Sequence, residues 1–116
     1  MPFGPGERSV AYAAITRGLV ALVFGVSPQE LVSASRSQAR VAFARQVAMY
    51  LTHVVFGISL ARVGSAFGRD RTTAAHACRV IEQARENDDI DEVLDRVAAA
   101  LRALARPSTA RSRRSH

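Results

Sequence analysis

The stretch FGRDRTTAAHACRVIEQ, Phe67 to Gln83, changes character midway. Gly68 interrupts one helical pattern. Asp70 is a residue type that caps a new one, because its carboxylate can accept from first-turn N–H groups that have no partner in the helix. From Asp70 to about Arg85 the residues Ala74, Ala77, Cys78 and Ile81 fall at helical spacing and define an inner face. Arg71 or Thr72, His76 and Arg79 line the other side as a polar stripe. Just upstream, SLARVGSAF (Ser59 to Phe67) reads as a short helix capped by Ser59, with Gly64 placed to allow close packing. Two helices joined by a tight turn give helix-turn-helix geometry, in which the start of the second helix enters the DNA major groove. The residues so placed are Arg69, Asp70, Arg71, Thr72 and Thr73. Arginine can pair bidentately with guanine, and a threonine methyl can touch the thymine methyl.

Outward from this motif, the pattern is helical throughout and contains no credible strand. MPFGPGE is loop-like, and Ser9 is placed to cap a helix running from Val10 to Phe24, which Gly25 stops. Ser27-Pro28-Gln29-Glu30 has the form of a capping box and predicts a short helix ending near Ala34. SRSQAR (Ser35 to Arg40) reads as a polar loop. Ala42 to Phe56 reads as a long helix with an apolar face, ended by Gly57. Asn87-Asp88-Asp89 marks a break before a last amphipathic helix, Ile90 to Ala105, whose acids come early and arginines late, as the helix dipole favours. Pro107 stops it. The expected fold is all-α, with about six helices around a helix-turn-helix core. Residues 1–8 are expected to form a flexible N-terminus, 9–105 one helical domain, and 106–116 a basic disordered tail.

Composition limits the functional classes. The chain of 116 residues predicts one domain, and 48% hydrophobic residues suffice for a core. All 16 basic residues are arginine, and the net charge is +6, so the partner to expect is a polyanion. Residues 87–105 are locally acidic, whereas 106–116 carry four arginines and no acid. The single cysteine, Cys78, excludes an internal disulfide and reads as a small core residue. His53 reads as a structural helix residue, and three scattered histidines do not have zinc-ligand spacing. Neither a signal-peptide pattern nor an apolar run of about 18 residues is present. No phosphate-binding G-x-x-x-x-G-K-[ST] loop occurs, and no nucleophile motif. The expectation is a non-enzymatic cytoplasmic protein, with no metal, no cofactor and no membrane association.

Three segments carry a family resemblance: FGVSPQEL (Phe24 to Leu31), ARQVAMYL (Ala44 to Leu51) and SLARVGSAFGRDRTTAAHACR (Ser59 to Arg79). In this order and spacing they resemble the C-terminal DNA-binding domain of the bacterial chromosomal replication initiator DnaA, from about Val20 to Glu86. The resemblance implies a Trp-repressor-like helical core and binding of double-stranded DNA at AT-rich boxes of the TTATCCACA type. It also implies that Arg69, Asp70, Thr72, Thr73 and His76 read bases and phosphates in the major groove. An arginine before the second segment, Arg36 or its rival Arg40, would enter the minor groove, which is narrow and strongly negative in AT-rich DNA. Arg71 joins the base readers in this reading, and Thr73, Arg45 and Arg79 position the phosphate backbone.

The chain departs from the family pattern at the same surface. One glycine before Arg69 is missing, Arg71 replaces a histidine, and Ala44 replaces a proline. The expected function is sequence-specific DNA binding by a nucleoid-associated monomer that regulates replication initiation or transcription. The alternative is a protein-interaction module that acts on the replication initiator or its regulators with little specific DNA binding.

Overall fold

The computed structural model describes residues 4–33 and 38–106, and among these the secondary structure is entirely helical. Five helices follow one another: α1 (Pro5–Phe24), α2 (Ala39–Phe56), α3 (Leu60–Ala66), α4 (Arg71–Ala84) and α5 (Asp88–Leu104). Arg36 and residues 107–116 of the expected basic tail lie outside the described residues.

The first helix starts earlier than its pattern predicts. Pro5 opens it with Gly4 as N-cap, and the Glu7 carboxylate accepts from the Gly4 N–H at 2.8 Å. Ser9, expected as the cap, is instead buried within the helix. A proline ring already fixed near helical φ, followed by an acid that reaches back to the cap, outweighs the loop tendency of the flanking glycines. The stripe Ser9, Ala13, Thr16, Val20 and Ala21 is buried against the rest of the fold. Gly25 ends the helix at φ 68°, and the N–H of Val26 reaches back to the Ala21 carbonyl at 3.0 Å.

Ser27 to Ser33 forms a succession of turns rather than the short α-helix expected. The capping box is made: the Ser27 N–H donates to Glu30 Oε1 at 2.9 Å, and the Glu30 N–H to Ser27 Oγ at 3.2 Å. The backbone bonds that follow span three residues, from Leu31 to Pro28 and from Val32 to Gln29, both at 3.2 Å. This is the tight pattern used in short pieces of chain. Leu31, fully buried, anchors the turn in the core.

The central helix is α2. Nine of its 18 residues are buried, so neighbours cover it on several sides. It packs against α1, α3, α4 and α5. Tyr12 of α1 stacks on Phe56 of α2 with ring centroids 4.2 Å apart. Gly57 ends α2 at φ 67°, and His53 Nδ1–H donates to the Ile58 carbonyl at 2.7 Å. That bond gives His53 the structural role the sequence assigned it. Leu94, Val97, Ala98 and Leu101 of α5 are buried at helical spacing, and α5 packs on α1 and α2. Asn87 caps it, accepting from the N–H groups of Asp89 and Ile90.

A polar cluster ties α2, α4 and α5 together. Tyr50 donates its hydroxyl to Glu82 Oε2 at 2.7 Å. Arg85 donates to the Tyr50 oxygen at 3.5 Å, to Asp91 at 2.6 Å, and to Asp95. Burial first, and the bond to Glu82 second, push the Tyr50 hydroxyl up to about 12.

Candidate nucleic-acid interface

The α3–α4 unit forms as its sequence indicates. Ser59 Oγ accepts from the Arg62 N–H at 3.3 Å and caps α3. The chain then reverses within four residues. The N–H of Gly68 bonds the Ser65 carbonyl at 3.2 Å, the N–H of Arg69 bonds the Gly64 carbonyl at 2.7 Å, and Gly68 sits at φ 67°. A left-handed residue there lets the chain turn at once into the next helix. Asp70 Oδ1 accepts from the Thr73 N–H at 2.8 Å and caps α4. That bond from the Thr73 backbone holds the Asp70 carboxyl below the usual carboxylate range. Phe67, fully buried, pins the turn to the core, with the Arg17 guanidinium 5.9 Å from its ring centre.

This arrangement sorts α4 into two faces. Ala74, Ala77 and Ile81 are buried, and Cys78 packs half-buried at the edge of the core. Burial pushes the Cys78 thiol up, away from the reactive thiolate. Arg71, Thr72, Thr73, His76 and Arg79 are exposed. Thr72, His76 and Arg79 follow one another at four and three residues, so they occupy one stripe. Arg71 opens the helix and Arg79 lies in its third turn, while Glu82 and Glu86 lie towards its end and just beyond it. The free N–H groups and positive dipole end of α4 add to the attraction for an anion at that start. Arg40 is exposed in the first turn of α2.

Two of the arginines expected at the DNA make intramolecular bonds. Arg45, expected to contact the DNA backbone, is only 8% exposed. Its Nε donates to the Leu31 carbonyl at 3.0 Å and its terminal nitrogen to the Glu30 carbonyl at 2.9 Å. The carbonyl ends of the turn before α2 carry partial negative charge and so suit this cation. Burial, and then the neighbouring Arg69 cation, lower its pKa from the usual arginine value. Arg69 itself is half-buried, donating to the Phe67 carbonyl and to the Ser33 carbonyl, each at 2.9 Å. The expectation singled out neither the carbonyls of Glu30, Leu31 and Ser33 nor the Tyr50–Glu82–Arg85 cluster. The signal for the carbonyls was the capping box, which places a turn end close to residue 33.

Among the described residues no group of three or more histidine, cysteine or acidic side chains is gathered as metal ligands would be. No helix among them is long and apolar enough to cross a membrane.

Comparison with known proteins agrees with this geometry. The sequence model of the family described as "Bacterial dnaA protein helix-turn-helix" matches residues 16–81, more than half the chain. A "Chromosomal replication initiator protein DnaA 2" of Chlamydia trachomatis is 42% identical over 84 residues, which cover 72% of this chain and 18% of that protein. Chromosomal replication initiator proteins DnaA of Thermodesulfovibrio yellowstonii and Lactococcus lactis are 30% identical over 99 residues and 39% over 80. Those alignments cover 80% and 67% of this chain, and 22% and 17% of the relatives. The chain thus spans about a fifth of the length of the relatives it matches. It belongs to the bacterial dnaA protein helix-turn-helix family.

Proposed function

We propose that the protein binds double-stranded DNA by placing the start of α4 in the major groove, with DnaA-box-like, AT-rich sites as its targets. The observation that carries this reading is the exposed stripe Thr72, His76 and Arg79, continued by Arg71 and Thr73, on a helix whose opposite face is buried. A solvated helix face needs no such set. The stripe sets two hydroxyls and a histidine beside Arg71 at the positive end of the helix and Arg79 further along, where phosphates and base edges are the fitting partners. The relatives' names speak of initiation of chromosome replication. Site-specific binding by this chain would therefore act on initiation or transcription by occupying boxes, without chemistry of its own. Arg40 would approach the adjacent minor groove, and Arg36 shares that candidacy.

Guanine N7 lies in the major groove, so dimethyl sulfate probing of a duplex carrying one TTATCCACA box tests the docking. The guanines of the complementary strand should be protected by the protein and exposed again with Thr72→Ala. Protein bound to the duplex with those guanines still reactive would place the contact elsewhere. The runner-up is a module that binds the initiator or its regulators. The intact polar stripe on α4 weighs against it.

A further inference from the structure

Arg69 is the first residue after the turn and the natural choice for a direct reader of guanine. Its contacts indicate another use. The two terminal nitrogens of its guanidinium are bonded to the carbonyls of Phe67 and Ser33, 2 and 36 residues away in sequence. Phe67 closes α3, and Ser33 closes the turn that begins at Ser27. Carbonyls at the ends of helical turns carry partial negative charge. A planar guanidinium with five donors suits two such carbonyls at once. Arg45 repeats the device from α2 with the carbonyls of Glu30 and Leu31. Two cations thus hold carbonyls of residues 30, 31, 33 and 67. Arg69 fastens the 27–33 turn to the corner before α4, and Arg45 fastens the same turn to α2. The two segments are neighbours, since a Cβ at Gly68 would be in ordinary contact with the Val32 carbonyl oxygen at 3.9 Å.

Resting on the DNA-binding reading above, we propose that Arg69 is a positioning residue of the interface rather than a base reader. It locks the 27–33 turn, which Arg45 ties to α2, against the helix-turn-helix corner and so fixes the angle at which α4 meets DNA. Both terminal nitrogens of Arg69 are engaged on carbonyls and the residue is half-buried, which favours holding the turn over reaching a base edge. Base contacts tolerate displacements of only about 0.5 Å, so loosening the lock weakens every contact made by α4 together.

The test uses the full chain with Arg69→Gln and Arg69→Lys, each first shown to remain helical and to melt cooperatively. Binding is measured to a box duplex, to a scrambled duplex, and to a panel with each base pair of the box changed singly. For Arg69→Gln, affinity for every box-derived duplex should fall about tenfold with no position singled out. Amide exchange at residues 30–33 should rise in the free protein, while Thr72→Ala leaves it unchanged. Arg69→Lys should not restore binding, because one ammonium cannot span both carbonyls as the fork does. Relaxation at one base pair alone would make Arg69 a direct reader and overturn the proposal. Full rescue by lysine would make it a simple phosphate contact and overturn it equally, as would unchanged binding or unchanged exchange. Wild-type protein that binds box and scrambled duplex alike defeats the box reading, and this inference with it, before any variant is compared.

Discussion

Gly64 lies so close to the start of α4 that a methyl group on its Cα would stand 2.6 Å from the Asp70 carbonyl oxygen and 2.8 Å from its carbon. Two backbones meet here, and neither can move aside as the end of a side chain can. The approach joins α3 to α4 and sets the helix-turn-helix corner. Glycine to alanine inside a helix ordinarily stabilises by about 0.5–1 kcal/mol. At Gly64 the clash should reverse the sign, with Gly64→Ala destabilising by about 1–3 kcal/mol. Gly18 in α1 is the control, since a Cβ there meets nothing within 4 Å, and Gly18→Ala should stabilise. Urea unfolding of the two variants checks the contrast. Equal effects of one sign would contradict the close approach.

Asp70 caps α4 through its bond to the Thr73 N–H. Asp70→Ala should lower the melting temperature and fray the first turn of the recognition helix. The carboxyl is held below its ordinary pKa in the folded state. Its contribution is therefore fully present above the unfolded value of about 3.9 and is lost as pH falls through the lower folded value. The gap in melting temperature between wild type and Asp70→Ala should be constant from pH 7 to about 5 and close below about pH 4. A gap that persists at lower pH would mean that the carboxylate charge is not what stabilises the turn.

The corner was legible because its determinants are local. Ser59, Gly64, Gly68 and Asp70 each act within a few residues, and each does what its type suggested. The inner and outer faces of α4 followed from spacing in the same way. The 27–33 segment was half legible: the capping box formed, but three-residue bonds replaced an α-helix once Leu31 was drawn into the core. The intramolecular partners of Arg45 and Arg69 were hidden for a different reason. Their acceptors are carbonyls, Leu31 being 14 residues from Arg45 and Ser33 being 36 from Arg69. Backbone carbonyls leave no mark on residue type, so an arginine that serves the fold reads the same as one that serves DNA.

Tyr50 should matter to stability and not to DNA. Tyr50→Phe removes the bond to Glu82 and should cost about 1 kcal/mol in chemical unfolding near neutral pH. The folded-state pKa of Tyr50 is raised to about 12. Its contribution is thus complete below the unfolded value of about 10 and disappears as pH rises towards 12. The disadvantage of Tyr50→Phe should shrink across that window, followed by unfolding at pH 8 to 11.5. A constant difference would show that the hydroxyl proton is not shared as described.

Thr72 and His76 should behave in the opposite way. Both are exposed, so alanine at either leaves stability within about 0.5 kcal/mol. Each substitution should weaken box binding by about 1–3 kcal/mol if the side chain meets a base edge. Arg71→Gln and Arg79→Gln should lower the slope of log affinity against log salt by about one each where the side chain meets a phosphate. Anisotropy titrations at several salt concentrations measure both effects. Loss of stability in parallel with loss of binding would move these residues from the interface to the core.

The most direct measurement compares the purified protein on a labelled duplex holding one TTATCCACA box with a scrambled duplex of equal length, at about 150 mM salt, where nonspecific attraction to a basic protein is damped. We expect a preference of about a hundredfold or more, abolished by Thr72→Ala. Equal, salt-sensitive affinity for the two duplexes would contradict base reading by α4.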